Sequence, residues 1–98
     1  MSPNNKKKLI VLRKKLDLVD NKLLNLLKIR SLHVENVLSL KKFKKEIIDK
    51  KRIKTILINI KKKSIKKGID PKISVRVWKS MIYAFIDYEY RNFKKRKK

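Results

Sequence analysis

The chain has 98 residues, 31 of them Lys or Arg and 8 of them Asp or Glu, and its net charge is +23. It has no cysteine, which excludes disulfides and thiolate metal sites and agrees with a cytoplasmic location. Its N-terminal apolar run covers only residues 9–12, too short for a signal peptide or a membrane span. We expect one soluble domain over residues 1–98, with residues 1–5 and 94–98 frayed.

The positive charge alone does not identify a partner. Arginine accounts for six of the 31 basic residues, and this excess of lysine is typical of a solvated basic surface. A zinc-finger pattern, an aromatic ribonucleoprotein motif and a Gly-rich nucleic-acid loop are all missing from the sequence. A basic helical dimer that binds nucleic acid therefore remains only a third alternative, and no nucleic-acid partner is expected.

The first predicted element is a helix of about 35 to 40 residues. No proline or glycine occurs between Pro3 and Gly68, and an apolar seam repeats every three or four residues over four heptads. The seam consists of Leu9, Leu12, Leu16, Val19, Leu23, Leu26, Arg30, His33, Val37 and Leu40. At 1.5 Å per residue such a helix is about 57 Å long, against a diameter of roughly 35 Å for a compact domain of this size. The overhanging seam must meet another chain, so an intertwined homodimer is expected.

Two further helices are predicted after the seam changes phase within residues 43–49. Asp49 is a suitable N-cap for the second helix. Gly68 ends that helix, and Asp70 with Pro71 begins the third. The predicted inner faces are Ile53, Ile56, Leu57 and Ile60 on the second helix, and Val75, Trp78, Met81, Ile82, Phe85 and Glu89 on the third. The fold class is therefore all-α, with a long, a short and a medium helix.

Arg30 stands on the seam at a position where a leucine is expected. Such an arginine can extend its charged end to solvent, form an ion pair or bind a ligand. No acidic residue on the inner stripe of the first helix is well placed to neutralise it, and an unpaired buried cation is costly, which favours an anionic ligand. Lys41, eleven residues later, falls on the same helical face about 16 Å away. Arg13 lies about 25 Å from Arg30 along the axis, so in an antiparallel dimer it approaches the Arg30 of the other copy.

The pattern resembles the all-helical chorismate mutases, a family that includes the related isochorismate pyruvate lyases. The resemblance covers residues 9–93 and depends on Arg13 in "VLRKKLDLVDNKLLNLL", Arg30 in "KIRSL" and Lys41 in "LSLKK". It continues with Asp49 and Arg52 in "IIDKKR" and with the third helix ending "WKSMIYAFIDYEYRNF". The arginine fork suits carboxylates better than a lysine ammonium does.

The resemblance implies an intertwined dimer with two equivalent sites for a small dicarboxylate, with no metal and no cofactor. The lack of an apolar span separately predicts no membrane partner. Arg13 is then supplied by the partner subunit, and Arg30 holds a substrate carboxylate. Lys41 donates to the ether oxygen of the breaking bond. Asp49 and Arg52 contribute to substrate binding. Chorismate becomes prephenate by a rearrangement within one molecule, which needs positioning and charge stabilisation but no nucleophile.

Three residues depart from the usual mutase pattern. Ile53 stands where many mutases have a Glu, and an apolar residue there is closer to the lyases, so isochorismate pyruvate lyase is the second interpretation. Phe85 stands where some mutases have a small hydroxyl residue. Glu89 stands where a Gln often donates to the ether oxygen. Because a carboxyl group donates only when protonated, a mildly acidic optimum is expected.

Overall fold

The computed structural model of the chain describes residues 1–96, whose side chains are described up to residue 93. The order of elements is α1 (Pro3–Leu40), a 3-10 turn (Lys44–Glu46), α2 (Lys50–Lys67) and α3 (Pro71–Arg96). The described residues contain no strand. The predicted all-α class with a long, a short and a medium helix is confirmed, at 38, 18 and 26 residues. None of these helices has an apolar stretch able to cross a bilayer.

The chain divides into two compact units, Met1–His33 and Val34–Lys98. The first unit is the greater part of α1. Ser2 begins this helix by accepting a hydrogen bond from the Asn5 N–H through its side-chain oxygen, at 3.1 Å. In the single chain this unit exposes apolar side chains on more than one face, at least 39% each: Ile10, Val11, Leu12, Leu16, Leu18, Val19, Leu23, Leu24, Leu26, Leu27, Ile29 and Leu32. A helix that is apolar on several sides is usually covered on several sides.

The second unit contains the hydrophobic core. Leu38 near the end of α1 is fully buried and clusters with Ile47, Ile82 and Ile86. Half-buried Ile53, Ile56, Leu57, Tyr90 and Phe93 pack around this cluster. Leu38 lies outside the predicted seam, whose members Val37 and Leu40 are 49% and 80% exposed. The α1 residue that enters the core was therefore predicted wrongly.

The turn between α2 and α3 forms at the residues that the sequence predicted. Gly68 ends α2 in the left-handed conformation at φ 72°, and its N–H donates to the Ile65 carbonyl. Asp70 accepts from the Lys72 N–H at 2.9 Å, and α3 begins at Pro71. Two buried hydroxyls, on Ser64 and Ser74, hydrogen-bond to each other close to this turn. These contacts fix α3 antiparallel to α2.

Burial along α3 agrees only partly with the predicted inner face. Ile82 and Glu89 are buried as expected. Four other members are only half-buried in the single chain: Val75, Trp78, Met81 and Phe85. Ile86, which the prediction omitted, is buried. The core therefore lies toward the C-terminal half of α3, where the end of α1 packs.

Candidate active site

A carboxylate lies on the buried stripe of α3. Ile82, Ile86 and Glu89 recur at four- and three-residue spacing, and they are 6%, 7% and 5% exposed. The third position of this stripe therefore holds Glu89 where an aliphatic residue would pack without cost. Burying a carboxylate is strongly unfavourable unless it is paired and hydrogen-bonded. The position of Glu89 therefore requires a cationic partner.

Lys41 is that partner. Its Nζ lies 3.0 Å from Oε1 of Glu89, and the two side chains are 17% and 7% exposed. The structure ends α1 at Leu40, so Lys41 lies just beyond the helix whose face it was predicted to continue. The Lys41 N–H closes the last turn by donating to the Leu38 carbonyl at 3.1 Å. Leaving the helix lets the lysine side chain approach α3 beside the buried core.

The ammonium of Lys41 keeps donor capacity after pairing. An ammonium has three N–H donors and no acceptor. Within residues 1–96 its acceptors are Glu89 Oε1 at 3.0 Å and, weakly, the Ile47 carbonyl at 3.5 Å. The third N–H can therefore donate to an oxygen of a bound molecule. Ile47 itself is 3% exposed, so the carbonyl that orients the ammonium is fixed in the core.

Asp49 is the N-cap of α2, and Arg52 lies in the first turn of that helix. The Asp49 side chain caps the helix by accepting from the Arg52 N–H at 3.0 Å, as the sequence predicted. Both side chains are exposed. The exposed guanidinium of Arg52 is therefore accessible to an anion near the capped start of α2.

Ile53 and Phe85 are both half-buried. Ile53 packs against the core cluster and also lines an open groove between α2 and α3. The groove is formed by Ile48, Lys50, Ile53, Lys54, Leu57, Ile58 and Tyr83. Phe85 lies on α3 one turn before Glu89 and makes contacts of its own. Neither an isoleucine nor a phenylalanine side chain can hydrogen-bond a ring hydroxyl.

Arg13 and Arg30 belong to the first unit, on α1. Arg13 is exposed, whereas Arg30 is half-buried and interacts with other residues. Seventeen residues of continuous helix separate them, about 25 Å along the axis. One copy of α1 therefore cannot bring these two guanidinium groups to the same small ligand.

Sequence reasoning missed a second polar contact between α1 and α3. The Tyr88 hydroxyl donates to Oε1 of Glu35 at 2.5 Å, across a sequence separation of 53 residues. It also missed Lys44, whose ammonium lies 5.9 Å from the centre of the Tyr90 ring. Nothing in the local spacing pairs these residues, although Glu35 and Glu89 are notable as carboxylates beside apolar neighbours. Within the described residues, no cluster of three or more His, Asp or Glu side chains is arranged to hold a metal ion.

A family model matches the part of the chain that contains these residues. The family model for chorismate mutase type II matches residues 12–90, which include every residue discussed for the site. Searches of curated proteins and of solved structures found no match. The matched segment covers most of the chain and contains the paired Lys41 and Glu89 as well as both α1 arginines. The chain therefore belongs to the type II chorismate mutase family, a family of all-helical enzymes.

Proposed function

We propose that this protein is a chorismate mutase that converts chorismate to prephenate. The observation that carries the proposal is the Lys41 ammonium, held 3.0 Å from a buried Glu89 with an N–H left for a ligand oxygen. The reaction breaks one C–O ether bond and forms one C–C bond within the same molecule, with no net proton transfer. What it needs from a protein is a fixed compact conformer and donors at the oxygen where negative charge develops.

The proposed roles of the site residues are those that the family resemblance implies, and the contacts of Lys41, Glu89 and Asp49 support them. Lys41 donates to the ether oxygen as its bond to carbon breaks. Glu89, when protonated, donates to the same oxygen from the adjacent side of the site. Arg30 holds a carboxylate of the substrate, and Arg52 supplies further positive charge. Phe85 and Ile53 provide apolar contact surface, and Asp49 fixes the start of α2 and with it the approach of Arg52.

The proposal includes an intertwined homodimer in which Arg13 of the partner subunit completes the site. Its support is the apolar surface of the first unit, where twelve side chains remain at least 39% exposed. Burying the exposed half of such a side chain contributes about 1 kcal/mol, so covering them contributes on the order of 10 kcal/mol per subunit. That amount is of the size needed to offset the cost of association, estimated at about 4–15 kcal/mol. Charge repulsion between two chains of +23 opposes assembly, and salt weakens that repulsion.

Isochorismate pyruvate lyase is the second candidate, favoured by Ile53. An isoleucine that packs on the core offers no acceptor to a ring hydroxyl. The lyase substrate also carries two carboxylates and breaks a similar ether bond. The same cationic residues therefore serve either reaction, and recognition of the ring separates the two.

The test offers chorismate and isochorismate separately to purified protein and identifies the products. The proposal expects prephenate from chorismate; salicylate with pyruvate from isochorismate, without prephenate formation, would favour the lyase. Arg30→Ala is expected to reduce kcat/KM by about 100-fold or more, because a bidentate carboxylate contact is lost. The matched control is Arg76→Ala, which removes an exposed arginine of α3 and is expected to leave turnover unchanged. Failure to convert either substrate would overturn the proposal, and nucleic-acid binding that survives Arg30→Ala would support the third alternative.

A further inference from the structure

The Tyr88–Glu35 hydrogen bond and the Lys41–Glu89 pair involve neighbouring residues of α3. Tyr88 and Glu89 are consecutive residues of α3. Tyr88 donates to Glu35 on α1, and Glu89 accepts from Lys41 just beyond the end of α1. Tyr88 and Glu89 of α3 are therefore both hydrogen-bonded to residues 35–41, at the end of α1 and just beyond it, within the second unit.

The carboxylates of Glu35 and Glu89 are less exposed to solvent than those of the other acidic residues. Of the eight acidic residues, Glu89 is buried and Glu35 is half-buried, whereas the remaining six are exposed. Carboxylates are withdrawn from water at a cost, which hydrogen bonds to fixed donors offset. Glu35 and Glu89 both lie where the end of α1 packs on α3. The desolvation cost of both carboxylates is therefore concentrated at this contact between the two helices.

The geometry of a helix explains what a second contact adds. Adjacent residues differ by about 100° around the axis, so the two contacts leave α3 in different directions. The packing of Ile82 and Ile86 in the core limits the rotation of α3, but the Lys41–Glu89 pair adds little resistance to small rotations because the flexible lysine can follow. A rotation of 20° moves an atom near the outer radius of a helix by about 2 Å. The Tyr88–Glu35 hydrogen bond opposes that rotation.

We propose that Tyr88 and Glu35 are positioning residues that hold Glu89, and through it Lys41, at the separation used in catalysis. This inference rests on the proposed function, because Lys41 and Glu89 are the donors of that reaction. Tyr88 acts through the orientation of α3, and Glu35 acts as the acceptor that fixes Tyr88. A displacement of about 1 Å at donors of this kind is enough to cost one to two orders of magnitude in rate.

The kinetic test compares Tyr88→Phe with Tyr83→Phe. Tyr83 is an exposed tyrosine of the same helix, so its substitution removes the same hydroxyl without the contact to Glu35. Tyr88→Phe is expected to lower kcat by about tenfold with KM changed less than about twofold, because positioning affects the reacting atoms more than substrate binding. Tyr83→Phe should leave both unchanged. Glu35→Gln should retain most of the activity, since an amide oxygen still accepts from Tyr88.

A second background separates positioning from a general structural effect. In Glu89→Ala, Tyr88→Phe should cause little further loss of kcat, because the side chain that it orients is gone. If Tyr88→Phe lowers kcat equally in both backgrounds, or lowers only thermal stability, the positioning role is wrong.

Crystal structures of the wild type and of Tyr88→Phe test the inference without using activity. The Lys41 Nζ to Glu89 Oε1 distance, 3.0 Å here, should lengthen beyond ion-pair contact in the variant. An unchanged distance would overturn the inference even if the wild-type protein converts chorismate. An inactive wild type with a broken pair in the variant would instead overturn the proposed function and the catalytic role of the pair, and would leave only the structural finding that Tyr88 holds the Lys41–Glu89 contact.

Discussion

Removing the lysine of the buried pair should destabilise the second unit more than removing any exposed lysine. In Lys41→Met the apolar stem is kept and the charge is lost, which leaves Glu89, whose side chain is 7% exposed, without its cation. Breaking a buried pair by removing one partner costs about 3–5 kcal/mol. Since Lys41 keeps 17% exposure, water replaces part of the interaction, and we expect about 3 kcal/mol.

The assay is urea unfolding followed by far-UV circular dichroism at neutral pH. All variants are measured at the same protein concentration, because the proposed dimer would gain stability by mass action. Lys42→Met is the matched control, since it removes the neighbouring, exposed lysine and should change stability by less than about 0.5 kcal/mol. Adding Glu89→Gln to Lys41→Met should recover most of the loss, because a neutral amide needs no cation.

Two outcomes would refute this reasoning. A loss below about 1 kcal/mol in Lys41→Met would mean that the carboxylate is hydrated or paired elsewhere in solution. A loss that Glu89→Gln does not recover would mean that the methionine disturbs packing and that the missing charge is not the cause.

Three other predictions concern assembly, the α2–α3 turn and pH. Leu16→Glu changes a seam position that is 60% exposed in the single chain and should yield monomers in analytical ultracentrifugation. Asn21→Glu adds the same charge on the opposite face of α1 and should remain a dimer. Dimers in both variants would contradict the proposed interface. Gly68→Ala should lower the free energy of unfolding by about 1–2 kcal/mol. The cause is the left-handed backbone alone, because an added methyl group meets no atom within 4 Å. Gly68→Asn should cost less, and equal stability of the wild type and Gly68→Ala would contradict this prediction. Because a carboxyl group donates only when protonated, wild-type kcat should fall as pH rises, while Glu89→Gln should give a flatter profile; a wild-type rate that stays flat to about pH 9 and is unchanged in Glu89→Gln would exclude Glu89 as a donor.

The parts of the fold set by local chemistry could be predicted from the sequence. Asp49 as a cap and Gly68 as a helix end each depend on neighbours within a few residues, and both are confirmed. The pairing of Lys41 with Glu89 involves two residues that the sequence had already selected for the site. Their direct contact was not predicted, because it depends on where α1 ends and how α3 is rotated.

The remaining errors have a common physical origin. A helical repeat of three and four places Val37 and Leu40 on the seam, but the tertiary core takes Leu38 instead. Leu38 lies inside α1, where it forms a second stripe of three- and four-residue spacing with half-buried Ser31 and Val34, so tertiary packing and not periodicity decides which stripe is buried. Tyr88 and Glu35 meet for the same reason, across 53 residues, and no local spacing encodes that distance.

Mixing two inactive variants tests most directly whether each site is built from cationic residues of two chains. Arg13→Ala and Arg30→Ala are each expected to be nearly inactive as homodimers. After the two are unfolded together in equal amounts and refolded, half of the dimers should be mixed, and one of the two sites in each should carry both arginines. The account predicts recovery to about a quarter of wild-type prephenate formation. Activity that stays at the average of the two variants, in a sample shown to contain mixed dimers, would contradict it.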